Sequence, residues 1–387
     1  MDPLLYRKGD SGPAVSEIRT RLAILGLLEG ATDAATDAPY GSAVFDEAMD
    51  AAVRGFQQQR GATVDGIVGP QTWRLLDDAR WQLGDRLLWY APSHLLTGDD
   101  VTALQQRLLE LGFDAGRADG IFGHETATAL MEFQQNVGIV ADGTCGPDTF
   151  KALDRLVRTV VGGRPAALRE IEAIRRDGPT LDGKVVVLDP GHGGADRGHT
   201  AHGLVEAAVA EDLVARIEGR LTATGVTAYL TRARLDLGEA PPDEHSRAVT
   251  ANELGAHLLL SVHVDGCASA AANGVAAFFY GDRGRGSRSV IGARFAELLR
   301  REVTARTDLL DCGSHEKTWD LLRSTRMPAV RLELGYVTNP GDAARLADDG
   351  FRDTVAEAVV VALRTLYGPL DDDAQTGPIR LPDMVGG

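Results

Sequence analysis

Apolar positions along the chain follow two periods, and the change falls near residue 181. Before it they recur every three or four residues. Val101, Leu104, Leu108 and Leu111 trace one face of a helix, and Gly112 stands where a left-handed cap would end it. After it come a short unbroken apolar run at 185–188, bounded by turn residues, and similar, largely apolar stretches at 226–230, 257–262, 275–280 and 329–334. Runs of that kind predict buried strands. Helical spacing returns between them at 205–224, 245–254 and 289–305, and a last helix starts near 342 or 351 and runs to 366. Strands alternating with helices predict an α/β domain whose largely parallel sheet is covered on both faces.

The helical part is duplicated. Phe56-Gln57-Gln58, Gly61, Asp65-Gly66, Gly69-Pro70, Thr72 and Leu76 recur 77 positions later as Phe133-Gln134-Gln135, Gly138, Asp142-Gly143, Gly146-Pro147, Thr149 and Leu153. Upstream, Val15, Ile18, Leu22, Leu25 and Gly26 match Val101, Leu104, Leu108, Leu111 and Gly112 at an offset of 86, so the first copy carries nine extra residues within 27–44. Each copy predicts three short helices. In the second, the middle helix spans about 125–136 with Ala129, Leu130 and Phe133 inward, and Gly138 closes it. Asp142-Gly143 then turns, Pro147 opens the last helix, and Phe150 and Leu153 are expected to pack inward. Phe56, Trp73, Phe133 and Phe150 read as core residues rather than a ligand platform.

Gly162-Gly163-Arg164-Pro165 and Gly178-Pro179 bracket a charged helical segment at 168–176. The expected organisation is therefore a multidomain chain: all-α modules at 5–80 and 95–158, a linker at 159–180, the α/β domain at 181–367 and a disordered tail at 368–387. Lys and Arg number 40 against 56 Asp and Glu, a net charge of −16 that argues against nucleic acid as a partner. No apolar run approaches the ~20 residues of a membrane span. The first ten residues lack the basic start and apolar core of a secretory signal, so the expected compartment is the cytoplasm, with the cell wall as the alternative by an export route not visible in the sequence. The three cysteines, Cys145, Cys267 and Cys312, are too few and too far apart for a disulfide framework or a cysteine zinc site. Cys267 reads as a small buried residue.

Ligands of such sheets gather at the carboxyl ends of the strands. Three of those ends carry metal-competent or acid–base side chains: Asp189-Pro190-Gly191-His192-Gly193-Gly194, Ser261-Val262-His263-Val264-Asp265, and Arg331-Leu332-Glu333-Leu334-Gly335-Tyr336. A fourth candidate, Glu206, opens the helix after the first strand. Two imidazoles and a carboxylate around an open position form the donor set of a catalytic zinc, and a further glutamate could handle the proton.

These residues carry a resemblance. The Leu188-Asp189-Pro190-Gly191-His192-Gly193-Gly194 segment, Gly203-Leu204-Val205-Glu206, Leu230-Thr231-Arg232, Ser261-Val262-His263, Asn273-Gly274-Val275 and the run from Met327-Pro328-Ala329 through Glu333-Leu334-Gly335-Tyr336 to Thr338-Asn339 are similar, in order, to the zinc-dependent N-acetylmuramoyl-L-alanine amidases of the third type. The duplicated Phe-Gln-Gln and Asp-Gly-x-x-Gly-Pro-x-Thr core resembles the peptidoglycan-binding domain of the first type. The first copy departs from it, with Phe45-Asp46-Glu47 where the second has Asp119-Gly120-Ile121-Phe122-Gly123. The resemblance implies a twisted sheet between helices, Zn2+ held by His192, Glu206 and His263, and Glu333 as the catalytic glutamate. It implies hydrolysis of the amide between the lactyl group of N-acetylmuramic acid and L-alanine, with peptidoglycan or muropeptide precursors as partners. Departures are Val264-Asp265 after the second histidine, where the family has a small residue and Asn, and Ala207 and Ala210 in place of polar residues. The domain order also resembles an actinobacterial group, the CwlM type. That likeness implies an alternative: a cytoplasmic regulator acting on an enzyme of peptidoglycan precursor synthesis.

Overall fold

The computed structural model describes residues 5–28, 43–156, 165–233, 239–282 and 286–368. The insertion of the first repeat and the acidic tail lie largely outside them. Helices α1 (Pro13–Ile24), α2 (Glu47–Gln59) and α3 (Pro70–Asp78) close over Val15, Ile18, Leu22, Phe45, Met49 and Phe56. Helices α4 (Asp99–Glu110), α5 (His124–Val137) and α6 (Pro147–Arg155) close over Leu104, Leu108, Phe122, Leu130 and Phe133. The expected punctuation is present: Gly138 is left-handed at the end of α5, and Pro70 and Pro147 open α3 and α6. Phe45 takes the buried place that Phe122 holds in the second copy, and Asp46 caps α2 by accepting from Met49 N at 2.9 Å. One expectation fails. Phe150 is 37% exposed, because α6 turns Leu153 inward and leaves the Phe150 ring on the rim, against Gly84.

A glutamine bracket explains the repeated motif. Gln57 Nε2 donates to Asp65 Oδ1, Ile67 O and Thr72 Oγ1, while its Oε1 accepts from Asp65 N and Gly66 N. Gln134 does the same with Asp142, Thr144 O, Thr149 and Gly143 N. Gln105 repeats it once more with Asp119, Ile121 O, Thr126 and Gly120 N. At the matching position the first copy has Arg19, which donates to Val44 O at 3.1 Å and Asp46 at 2.6 Å.

Beyond α7 (Pro165–Asp177) the chain forms a seven-stranded mixed sheet. Strands β1 (Val185–Pro190), β4 (Thr227–Leu230), β5 (Leu258–Asp265) and β9 (Ala329–Tyr336) run parallel in the order β4-β1-β5-β9. Strand β6 (Val275–Asp282) joins β9 antiparallel, and β7 (Ser287–Arg288) and β8 (Asp311–Lys317) pair with β6. A separate hairpin of β2 (Thr200–Ala201) and β3 (Leu204–Val205) precedes α8 (Glu206–Thr222). Helices α8, α10 (Val290–Arg306) and α13 (Asp349–Tyr367) cover one face, and α9 (Glu244–Glu253) and α11 (Asp320–Ser324) the other. The closing helical stretch is two helices, α12 (Pro340–Ala347) and α13, separated where the Asp348 side chain caps the second.

Residues 317–327 of the α/β domain reach both helical bundles. Thr318 N donates to Gly61 O, Thr318 Oγ1 to Arg60 O and Trp319 Nε1 to Thr63 Oγ1. Arg323, 7% exposed, meets Asp78 Oδ2 at 2.9 Å and donates from Nε to Asp119 O at 2.8 Å. Burial works against its charge, but Asp78, Tyr280 and Asp119 together more than offset that, so the guanidinium is held above its usual pKa.

Candidate metal centre

The carboxyl end of the parallel strands is built on a buried ion pair. Asp189, at the end of β1, accepts from Thr231 Oγ1 (2.5 Å), Ser261 Oγ (2.6 Å) and Arg247 Nη1 (3.1 Å). Arg247 also donates to Pro190 O and His192 O, and Arg232 to Pro190 O and Gly191 O. Two buried guanidiniums thus fix the glycine loop through its carbonyls. His192 adopts φ 57°, a left-handed conformation uncommon outside glycine that turns its ring over the strand end. Gly191 cannot be larger, since a Cβ there would stand 2.4 Å from the His263 ring.

The loop, the start of α8 and the end of β5 bring His192, Glu206 and His263 together, with one ligating atom from each all within 4.8 Å of one another. Glu206 is 1% exposed. Its Oε1 lies 3.1 Å from His192 Nε2 and 3.0 Å from His263 Nδ1, and its Oε2 accepts from His199 N at 3.0 Å. The outer nitrogen of His192, Nδ1, lies 2.8 Å from Asp196 Oδ2, the carboxylate–histidine arrangement that orients metal-binding imidazoles. Burial opposes the charge on His192, but Glu206 and Asp196 outweigh it and hold its pKa above the usual imidazole value. Burial likewise opposes ionisation of Glu206. The hydrogen bonds from His192 and His263 win and hold that carboxyl well below its usual range. Two imidazoles and a fixed, ionised carboxylate suit a divalent transition metal with nitrogen and oxygen preference.

Glu333 stands opposite His263 in the β5–β9 register and so on the same face of the sheet. Both lie inside strands, because the β5–β9 ladder continues past the apolar runs to Asp265 and Tyr336. Glu333 Oε1 receives Arg331 Nε at 2.7 Å, and its Oε2 is buried without a hydrogen bond to any described residue. Nearby, burial and the charge of Glu333 raise the pKa of Asp265, and burial with Asp265 pushes Tyr336 up to about 12. Cys267 corrects an expectation: the chain turns outward after the irregularity at Asp265, and the thiol is exposed. Among the residues that sequence reasoning did not single out are Asp196 and Arg331. Their signals were spacing alone, four residues after His192 and two before Glu333.

Residues 186–365 match the family model described as N-acetylmuramoyl-L-alanine amidase, and residues 11–76 and 97–153 match a putative peptidoglycan binding domain. The chain is 44% identical over 384 residues to the N-acetylmuramoyl-L-alanine amidase CwlM of Mycobacterium tuberculosis, covering 98% of this chain and 93% of that protein. The chain belongs to the N-acetylmuramoyl-L-alanine amidase family. The amidase is also 30% identical over 190 residues to the probable cell wall amidase LytH of Staphylococcus aureus, across 48% of this chain and 60% of that one. Among solved structures it resembles the amidase AmiC2 of Nostoc punctiforme, with 28% identity, 47% of this chain and 96% of that chain covered, and a TM-score of 0.42. The two family matches imply peptidoglycan as the substrate of this amidase, and they do not favour the regulator alternative. Among the described residues no helix is long and apolar enough to cross a membrane.

Proposed function

We propose that this amidase uses a zinc ion held by His192, Glu206 and His263, with Glu333 as its general base and acid, to cleave the lactyl–L-alanine amide of peptidoglycan or its muropeptide precursors. The observation that carries the reading is the convergence of the two imidazoles and Glu206 within 4.8 Å beside a strand that bears Glu333. Zinc, when bound, supplies Lewis acidity, lowering the pKa of water to about 7 and polarising the scissile carbonyl. Glu333 takes the proton of the attacking water through Oε2, the oxygen that Arg331 leaves free. It then delivers that proton to the L-alanine nitrogen as the C–N bond breaks, which leaves a lactyl carboxylate and a free amine. Asp196 holds the His192 ring so that Nε2 faces Glu206.

The expected organisation remains part of the reading: modules at 5–80 and 95–158 hold the polymer, and the domain at 181–367 cuts it. With net charge −16 against an anionic polymer, capture rests on local contacts and not on long-range attraction. The test is release of L-alanyl peptide from muropeptides by the full chain, with zinc quantified in the same preparation. Glu333→Gln is expected to lower turnover by about 10²- to 10⁴-fold with zinc retained. Full activity in that variant removes Glu333 from the mechanism, and a wild type that binds zinc but releases nothing refutes the hydrolase reading.

A further inference from the structure

We propose that Arg331 is a positioning residue for Glu333, and that Trp319 couples it to the first helical bundle, so that docking of that bundle sets the geometry of the proton-transferring carboxylate. The inference rests on the assignment of Glu333 made above.

Arg331 and Glu333 are two apart on β9 and share a face of the sheet. Arg331 Nε and Nη2 both lie 2.7 Å from Glu333 Oε1. The Nε–H hydrogen bond and the Nη2 ion-pair contact both hold Oε1, which leaves Oε2 as the acceptor. The guanidinium is itself constrained from two sides. Nη1 lies 3.4 Å from Glu244 Oε1 at the start of α9, and Cζ stacks 4.7 Å from the centre of the Trp319 ring. Phe278, with ring centroids 4.8 Å apart, and the Lys317 ammonium, at 5.4 Å, pack on that same ring.

Trp319 in turn is placed by the helical bundle. Its Nε1 donates to Thr63 Oγ1 at 3.2 Å, and the two residues before it meet the same turn, Thr318 N on Gly61 O at 3.1 Å and Lys317 Nζ on Ala62 O at 3.1 Å. Thr318 Oγ1 adds a bond to Arg60 O at 2.6 Å. Gly61 is left-handed, φ 66°, and a Cβ there would stand 3.3 Å from Gly281 O, so the turn is shaped to lie against the α/β domain. On the other side of the segment, Leu321 N donates to Glu244 Oε2 at 3.2 Å. The path from bundle to carboxylate is therefore four contiguous pieces: the turn at residues 60–63, the Trp319 ring, the Arg331 guanidinium and Glu333. A bundle that binds wall polymer and shifts this turn would move the acceptor oxygen.

The experiment compares full-length wild type, Arg331→Met, Arg331→Lys, Trp319→Leu and Trp319→Phe for zinc content, for kcat and KM on a soluble muropeptide, and for the Glu333 side chain in crystal structures. Arg331→Met is expected to lower kcat by about 10²-fold, the scale of a 1 Å misplacement, with KM and zinc unchanged and with the carboxylate displaced. Arg331→Lys should restore part of kcat. Trp319→Leu should lose about tenfold and Trp319→Phe, which keeps a ring under the cation, much less. Unchanged kcat in Arg331→Met overturns the proposal, as does a loss shared with KM and zinc content, which marks a general structural role. If the wild type releases nothing, the hydrolase reading fails by itself, and the Glu333 conformer in the Arg331→Met crystal still decides the positioning claim: a carboxylate that stays in place overturns it.

Discussion

Replacing Arg323 by methionine removes the side chain that joins all three parts of the molecule. Arg323 is 7% exposed and Asp78 2%. Without the guanidinium, the Asp78 carboxylate keeps the hydroxyl of Thr97, at 2.6 Å, as its hydrogen-bond donor, and the carbonyl of Asp119 loses its 2.8 Å donor. Breaking one side of a buried pair in this way costs about 3–5 kcal/mol, because the remaining charge stays desolvated. That is a large share of the roughly 5–15 kcal/mol that holds a protein folded. The first bundle is therefore expected to separate from the α/β domain before either unfolds. Asp78→Asn in the same background should return part of the loss, with a coupling of up to about 3 kcal/mol in the double-mutant cycle. Denaturant unfolding followed by tryptophan fluorescence reads the effect, since Trp73, Trp81 and Trp89 lie in or beside the bundles and Trp319 lies at the junction. A loss below about 1 kcal/mol for Arg323→Met, or additivity within about 0.5 kcal/mol, refutes the argument.

Three further outcomes are expected. Gly191→Ala drives a methyl group into the His263 ring, so the purified variant should bind much less than one zinc per chain, as read by metal analysis. Metal affinity should fall with acidification by about tenfold per pH unit once His192 takes up its proton, and because its pKa is raised the fall starts above the ordinary value of about 6.5; a chelator competition series over pH reads it. In the metal-free protein the signs separate. The His192 contribution to stability is full below about pH 6.5 and is lost as pH rises through its raised value, whereas that of Glu206 is full above about pH 4.3 and is lost as pH falls through its depressed one. The melting temperature of chelated protein should therefore be level with pH between those limits.

Much of the architecture was legible because burial writes itself into runs of apolar residues. The strands β1, β5, β6 and β9 are the sheet's interior, and each appears as a largely apolar stretch. Strand β8, Asp-Cys-Gly-Ser-His-Glu-Lys, has no apolar pattern. Its backbone ladder to β6 makes it a strand, and its side chains lie in partly exposed surroundings. His192, Glu206, His263 and Glu333 were legible as chemistry near strand ends, and the structure brings the first three into one cluster with Glu333 on the neighbouring strand. The guanidiniums of Arg232, Arg247 and Arg331 were not, since an arginine looks the same in sequence whether it meets water or carries a buried loop. Phe150 shows the converse error. Helical spacing marks an aromatic as inward, but α6 has nine residues and one principal buried contact, Leu153, so the neighbouring position falls on the rim.

The glutamine brackets alter what the repeated motif signifies. Gln57, Gln105 and Gln134 each spend their amide on a downstream Asp, Thr and backbone, and the aspartates and threonines that make the motif recognisable are the partners so consumed. The elementary unit is then a helix and its clasp, 29 residues from Gln105 to Gln134, and the second module holds two of them in tandem. In the first module one clasp has been exchanged for the Arg19–Asp46 ion pair, which does the same fastening with different atoms. A motif made of fasteners certifies that a bundle will close, and it is silent on what the closed bundle touches. The residues free to diverge between the two modules are the ones the motif leaves out.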